Sequence, residues 1–470
     1  MVETILVKSK NNNISLAYKL MITISFGVAI FCLINASSSI FNAPFWIVPL
    51  LYSFLLVGSP VKKKAFAGPG SIVINIVMFS RYVILFFFMY IHDDTSQFEV
   101  AGMYNIHACL LICVEMIAIF IVLFVHKYKF GKSKRNNDVS ASTSNFNKKI
   151  ILIYVMIFIA LFVSNTSLVG TLQIFEGSYD VEQYNEYSNI NGAIVMLWQA
   201  LLMAFYLFII LRLGAKYRKN LKKSMLVLSI GITLAYLFLV YISQYKISRW
   251  YPIVIGVSSI FFLLKIYPTR KTFMTTLIVI PMAILVLVAT VMKNTSGTSS
   301  GFNALLDVFS VTNLDSYLAG PSNIANSILT NQKFDIDLNT LLYDLLNNFP
   351  VLNEYIDKTQ VSNRMFNATI FGTFERSDQI MPLLGQSFSI FGYMLAPLLS
   401  ICFVKTALVF DDKYRISTNG FSFLYAFIAI WCGIAVILNL TINIAWWYNR
   451  IIPGFLVFWL CQIGGKKIWQ

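Results

Sequence analysis

Charge is what this sequence has least of. Only 12% of its 470 residues are Asp, Glu, Lys or Arg, about half the share of an ordinary globular chain, which excludes a soluble fold with a charged surface. Histidine is scarcer still: His92, His107 and His126 are the only three. They lie far apart and at different depths, so neither a zinc cluster nor a histidine-based acyl transferase is expected. The six cysteines, Cys32, Cys109, Cys113, Cys402, Cys432 and Cys461, fall in or at the ends of apolar runs without metal-ligand spacing. They read as small hydrophobes and say nothing of redox compartment. No P-loop or dinucleotide glycine pattern stands in a strand-to-helix context, so no nucleotide energy source and no cofactor is expected.

Apolar sequence is what is abundant. Hydrophobic residues make up 57% of the chain and the mean hydropathy is +0.70, which together indicate an all-α polytopic membrane protein. Runs that suit a crossing of about 30 Å of hydrocarbon fall at 17–35, 42–59, 71–91, 106–126, 150–170, 192–211, 224–242, 251–267, 273–291, 382–404, 420–438 and 445–463. That makes about 12 transmembrane helices. The first run follows the polar KSKNNN and lacks a small-residue cleavage signal, so it reads as a retained helix. The chain then divides into 1–291 with helices one to nine, 292–381 as one large loop, and 382–470 with helices ten to twelve.

A formal net charge of +15 would suggest nucleic acid in a soluble domain, but here position accounts for most of it. Lysines and arginines cluster after the second, fourth, sixth, eighth and tenth helices, and carboxylates after the third and fifth. The bias of basic residues toward the cytoplasm then puts both termini inside and 292–381 outside, and no nucleic-acid partner is expected. The loop includes FNALLDVFS and LNTLLYDLLNNF, the latter with Leu338, Leu341, Leu342, Leu345 and Leu346 at helical spacing. Amphipathic helices lying on the bilayer or capping the bundle are expected there.

A few charges break the pattern. Lys246, Arg249, Arg364, Arg376 and Arg450 all fall on the outer side. They read either as anchors in an aromatic belt with Trp250, Tyr251, Trp446, Trp447 and Tyr448, or as an outer anion site in which guanidinium groups hold phosphate oxygens. Arg81 and Glu115 fall near mid-membrane in neighbouring helices. An isolated charge there is costly, so they form either a structural ion pair or, with Tyr251, the lining of a cavity entered from outside. In FGTFERSDQIMPLL, Glu375 and Asp378 flank Arg376. A carboxylate there suits either proton abstraction from a sugar hydroxyl beside a departing diphosphate or, for Asp378, capping of helix ten. Tyrosines and asparagines in YDVEQYNEYSNINGA and SNRMFNATIFG offer ring faces and amides suited to sugars.

On YLAGPSNIANSI (317–328) and NATIFGTFERSDQIMPLLGQSFSIFGYMLAPLLS (367–400), where Gly372 and Arg376 feed a helix with Gly385, Phe391 and Gly392, the chain resembles the bacterial O-antigen and capsular polysaccharide polymerases, the Wzy-type repeat-unit polymerases. The resemblance implies a GT-C-like bundle and a metal-independent inverting glycosyltransferase. Its substrates would be undecaprenyl diphosphate-linked oligosaccharides on the outer face of the bacterial cytoplasmic membrane. It also implies a role in cell-envelope biosynthesis, with membrane lipid, a chain-length regulator and a flippase as partners. Outer-loop arginines hold the diphosphate in that family, and Arg249, Arg364, Arg376 and Arg450 are the matching residue types, with Lys246 close to Arg249. The catalytic expectation falls on Asp378, Glu375 and Arg376. The competing expectation is a flippase or exporter of lipid-linked oligosaccharides, disfavoured by the lopsided division around the outer loop, since such transporters show two comparable halves.

Overall fold

A computed structural model describes residues 2–58, 68–127, 148–164, 189–242, 250–268, 271–294, 309–349, 352–376, 379–417 and 420–463. These residues form helices and connections, with no strand among them. The first half contains α1 (Val2–Asn35), α2 (Ile47–Gly58), α3 (Pro69–Phe79), α4 (Leu85–His92), α5 (Asn105–Val125), α6 (Lys148–Ser164), α7 (Asn189–Asn220), α8 (Lys223–Ile242), α9 (Trp250–Ile266) and α10 (Lys271–Asn294). The segment 292–381 supplies α11 (Val311–Leu318), α12 (Pro321–Phe334), α13 (Leu338–Leu346) and α14 (Ser362–Phe371). The chain then continues through α15 (Leu383–Leu395), α16 (Leu398–Ile416), α17 (Phe421–Ile434), α18 (Leu440–Trp446) and α19 (Ile452–Ile463). A π-helical turn, Ser80–Ile84, joins α3 to α4, and a second, Trp447–Ile451, joins α18 to α19.

The outward faces are as apolar as the inward ones. On α5, Ala108, Leu111, Ile112, Met116 and Ile119 are buried while Leu110, Val114, Ile117, Ile121 and Phe124 are exposed, a division that suits lipid on one side and protein on the other. Among the described residues, five helices are long and apolar enough to cross a membrane, or six when a bent pair is taken as one span. Four shorter apolar helices, Ile47–Gly58, Ile253–Ile266, Phe273–Ile284 and Phe421–Ile437, accompany them. The architecture is therefore consistent with a multi-pass membrane protein.

The core is centred on α17, in which Phe423, Leu424, Phe427, Ile428, Ile430, Trp431 and Ile434 are all buried. It packs against α3, α9 and α16. The approach to α3 is close enough that a Cβ on Gly70 would lie 2.9 Å from the Ala429 carbonyl oxygen. α3 starts at Pro69 with no side-chain cap from its own N-cap residue, Gly68. The cap comes from α16 instead, where Asp411 accepts from Gly70 N and Ser71 N, each at 2.7 Å.

Two of the expected spans are broken. The run 382–404 is not one helix: α15 and α16 meet at 104°. Pro397 lacks an N–H to continue the ladder, and Gly392 sits at φ 74°, ψ −178°, open to glycine and strained for any other residue. The run 420–438 ends as a helix at Ile434, passes through the 3-10 turn Ala435–Ile437, and reaches α18 through extended Leu438 and Asn439. Asn439 caps α18 by accepting from Ile442 N at 2.7 Å. Asn449 and Arg450 lie within the second π turn.

The helix expected over LNTLLYDLLNNF is α13, opened by a capping box between Asp337 and Thr340. Its inward face is polar: Thr340 and Asp344 are buried while Leu338 and Leu342 are exposed. FNALLDVFS lies outside the described residues except for Phe309 and Ser310. α12 is buried against α5, α14 and α15. Its Asn326 acts as a backbone partner, accepting from Val100 N and donating to Phe98 O.

Candidate functional site

Polar side chains collect where the helices break. The non-helical stretch from Ala435 to Asn439 leaves backbone groups that no helix satisfies, and buried groups of this kind need partners. Arg81 Nη1 donates to the Val436 carbonyl at 3.3 Å, and Leu383 N donates to the Leu438 carbonyl at 2.8 Å. Gln386 Oε1 accepts from Leu440 N at 2.6 Å. The Leu383 bond satisfies one of the first free amides of α15, whose N-cap position is held by Pro382 rather than by Asp378.

Behind the Val436 carbonyl, Arg81 forms an ion pair with Glu115, Nη1 to Oε2 at 2.8 Å, with side-chain exposures of 1% and 0%. Glu115 also accepts from Ser400 Oγ at 2.5 Å and from Tyr82 Oη at 3.3 Å. The pair expected from sequence is thus formed, and it is enclosed by protein. Arg81 sits in the first π turn, and its Nε and Nη2 have no hydrogen-bond partner among the described residues. A buried guanidinium with two open donors is suited to an oxyanion or a water. π turns recur at such places because the extra residue re-aims a side chain.

At the same break, Asp344 from α13 is fully buried. It accepts from Ser362 N (3.0 Å), Ser362 Oγ (2.7 Å), Gln386 Nε2 (3.1 Å) and Thr441 Oγ1 (3.4 Å). Asn363 Oδ1 accepts from Met381 N (2.9 Å) and Asn439 Nδ2 (3.1 Å). The helices α13 and α14 are therefore fastened to α15 and α18 by side chains that each serve two elements. Burial pushes the Asp344 carboxyl up from its ordinary 3.8 to about 6, against the pull of the Ser362 bonds.

Arg364, Glu375 and Arg376 occupy one corner at the end of α14. Arg364 Nη1 donates to the carbonyls of Phe374 (2.9 Å) and Glu375 (2.6 Å), which fixes the turn after Gly372. The Arg376 guanidinium lies over the Phe371 ring at 3.9 Å, and the side chains of both Glu375 and Arg376 are exposed. Arg450 lies in the second π turn, where neighbouring Tyr448 meets Phe349, just beyond α13, edge-on at 5.1 Å. Lys246, Arg249 and Asp378 lie outside the described residues. Tyr251 belongs to α9, its side chain likewise outside the description.

Two carboxylates escaped the reading of the sequence, Asp344 and Asp315. Asp315 is fully buried on α11, with Oδ1 accepting from Ser322 N at 3.2 Å and Oδ2 without a partner among the described residues. Burial raises its carboxyl to about 7; the Ser322 N–H opposes that rise and the charge of Glu99 adds to it. Glu99 itself accepts from Asn105 Nδ2 at 2.7 Å and Ser322 Oγ at 3.5 Å. The available signal was an acid set among leucines in LLYDLL and NLDSYL, where a solvated carboxylate has no reason to sit. Among the described residues no group of three or more His, Cys, Asp or Glu is placed to hold a metal ion. The chain matches no protein-family model, no curated protein and no solved structure.

Proposed function

We propose that this chain is a polysaccharide polymerase of the bacterial cytoplasmic membrane, with both termini cytoplasmic and the segment 292–381 on the outer face. Its reaction would move a growing glycan from one undecaprenyl diphosphate to the non-reducing end of a repeat unit carried on another. The anomeric carbon–oxygen bond to the diphosphate breaks, a glycosidic bond to the acceptor hydroxyl forms with inversion, and undecaprenyl diphosphate leaves with the bonding electrons. The acceptor proton passes to a carboxylate, for which Asp378 and Glu375 are the candidates. Arg376, with Arg364, Arg450, Arg249 and Lys246, would neutralise the departing diphosphate.

The observation that carries this reading is the docking of the outer segment on the helix breaks. Asp344, Ser362 and Asn363 reach Gln386, Thr441 and Asn439, so the segment is a fixed part of the bundle instead of a tether. A rigid outer roof beside exposed Glu375 and Arg376 suits an enzyme that must orient two membrane-anchored substrates. Chain growth on lipid-linked repeat units by the purified protein tests it: longer glycans support transfer, and unaltered single units contradict it.

A second reading, export of the same lipid-linked oligosaccharides, is favoured by the 104° bend between α15 and α16 and by the enclosed Arg81–Glu115 pair. Broken helices around buried charge are a feature of transporters.

A further inference from the structure

The outer segment holds a cavity of about 370 Å³, within the size range of small-molecule sites, that the reaction above does not use. Its walls include Phe334 and Asp335 from the end of α12, Asp337, Asn339 and Tyr343 from α13, and Gln360. No lysine or arginine lines it, so it is unsuited to a diphosphate. Asp337 is partly committed: Oδ1 accepts from Asn339 N (2.9 Å), Thr340 N (3.0 Å) and Thr340 Oγ1 (3.4 Å), and Oδ2 from Asn339 Nδ2 (2.9 Å). The side chains of Asp335, Gln360 and Tyr343 have no hydrogen-bond partner among the described residues, and Asp335 and Gln360 are exposed. Phe334 is held edge-on to Phe374 at 5.6 Å.

We propose that this cavity binds a non-acidic sugar unit of the glycan, one that carries hydroxyls or an ammonium group and no carboxylate. Two carboxylates and two amide oxygens make the walls rich in acceptors, which matches a ligand rich in O–H or N–H donors. Hydrogen bonds to a carboxylate are the stronger kind, while a uronic acid would meet like charge from Asp335 and Asp337. Phe334 and Tyr343 supply the apolar surface that the C–H face of a sugar ring requires. The cavity is one residue from the fastening of the outer segment, since Tyr343 lines it and Asp344 bonds Gln386. The identity of the sugar chain rests on the proposed reaction; the preference for a non-acidic unit rests on the cavity alone.

Binding of a glucosamine oligosaccharide and of a galacturonic acid oligosaccharide of equal length to the full chain in detergent, by titration calorimetry and saturation-transfer NMR, is the test. The glucosamine oligomer is expected to bind, and the galacturonate at least about tenfold more weakly. Asp335→Asn combined with Gln360→Ala should weaken the first by about tenfold or more with no change in thermal midpoint. Equal binding of the two oligomers, unchanged binding by the variant, or no binding of the glucosamine oligomer would overturn the assignment. Chain growth without such binding overturns the cavity alone, whereas binding without chain growth upholds the cavity and overturns the polymerase reading.

Discussion

Arg81 and Glu115 meet at 2.8 Å with almost no exposure of either side chain, and together they bring the first π turn, α5, α16 and the turn after α17 to one point through Ser400 and Val436. Removing one partner leaves the other charge buried and unpaired. Arg81→Ala or Glu115→Ala is therefore expected to destabilise the protein by about 3–5 kcal/mol. Arg81→Ala combined with Glu115→Ala should cost less than the sum of the single changes, because no orphaned charge remains. Denaturation in detergent of the singles and the double measures this, and strict additivity would show that the pair is not coupled.

The part of the fold built by α11 and α13 should lose stability as pH rises. Both Asp344 and Asp315 have folded values above their ordinary 3.8, at about 6 and about 7, so the folded state binds the proton more tightly. Their favourable contribution is complete below the unfolded value and is lost as pH rises through the folded values, at no more than about 1.4 kcal/mol per pH unit for each group. Thermal midpoints between pH 4 and pH 7 should fall, and Asp344→Asn should flatten the lower part of that slope. A midpoint that climbs across the window for the unaltered protein would contradict the burial of these groups.

Asp411 caps α3 from a distance, with both carboxylate oxygens engaged at 2.7 Å. Asp411→Ala leaves two buried N–H groups without partners and is expected to cost about 2–4 kcal/mol. Asp411→Asn, which keeps one acceptor, should cost less. Equal midpoints for the alanine and asparagine variants would show that the capping bonds carry none of the stability.

Gly392 tests the backbone of the bend. A Cβ there meets nothing within 4 Å, yet φ is +74°, so Gly392→Ala should cost about 1–3 kcal/mol from backbone strain alone. Gly27 in α1 also has nothing within 4 Å and no such dihedral, so Gly27→Ala should be neutral or stabilising by up to about 1 kcal/mol. Matching losses in the two variants would count against strain at the bend.

Hydropathy places α5 and the α3–α4 helix within a few residues of their observed ends, because a bilayer forces an uninterrupted apolar run to satisfy its own backbone as a helix. It does not place the breaks at Pro397 and at Ala435–Asn439, because those stretches are as apolar as the helices around them. Pro397 in MLAPLLS was a visible sign of the first. The Arg81–Glu115 pair was legible because two opposite charges at one depth have few other ways to be tolerated. Asp344 and Asp315 were not, since a carboxylate in an outer loop is ordinarily solvated, and only the three-dimensional packing of α11, α13 and α14 removes it from water. Arg364 read in sequence as either an interfacial anchor or a phosphate ligand; the fold spends one of its terminal nitrogens on the carbonyls of Phe374 and Glu375.

The most direct measurement reconstitutes the purified protein in lipid vesicles with undecaprenyl diphosphate-linked repeat units, a chelator and no nucleotide, and reads glycan length and membrane side in the same sample. Ladders of longer glycans on one side, abolished by Arg376→Ala in a protein of unchanged thermal midpoint, are the expected result. Passage of single units across the bilayer without any growth in length would contradict glycosyl transfer and leave export as the function.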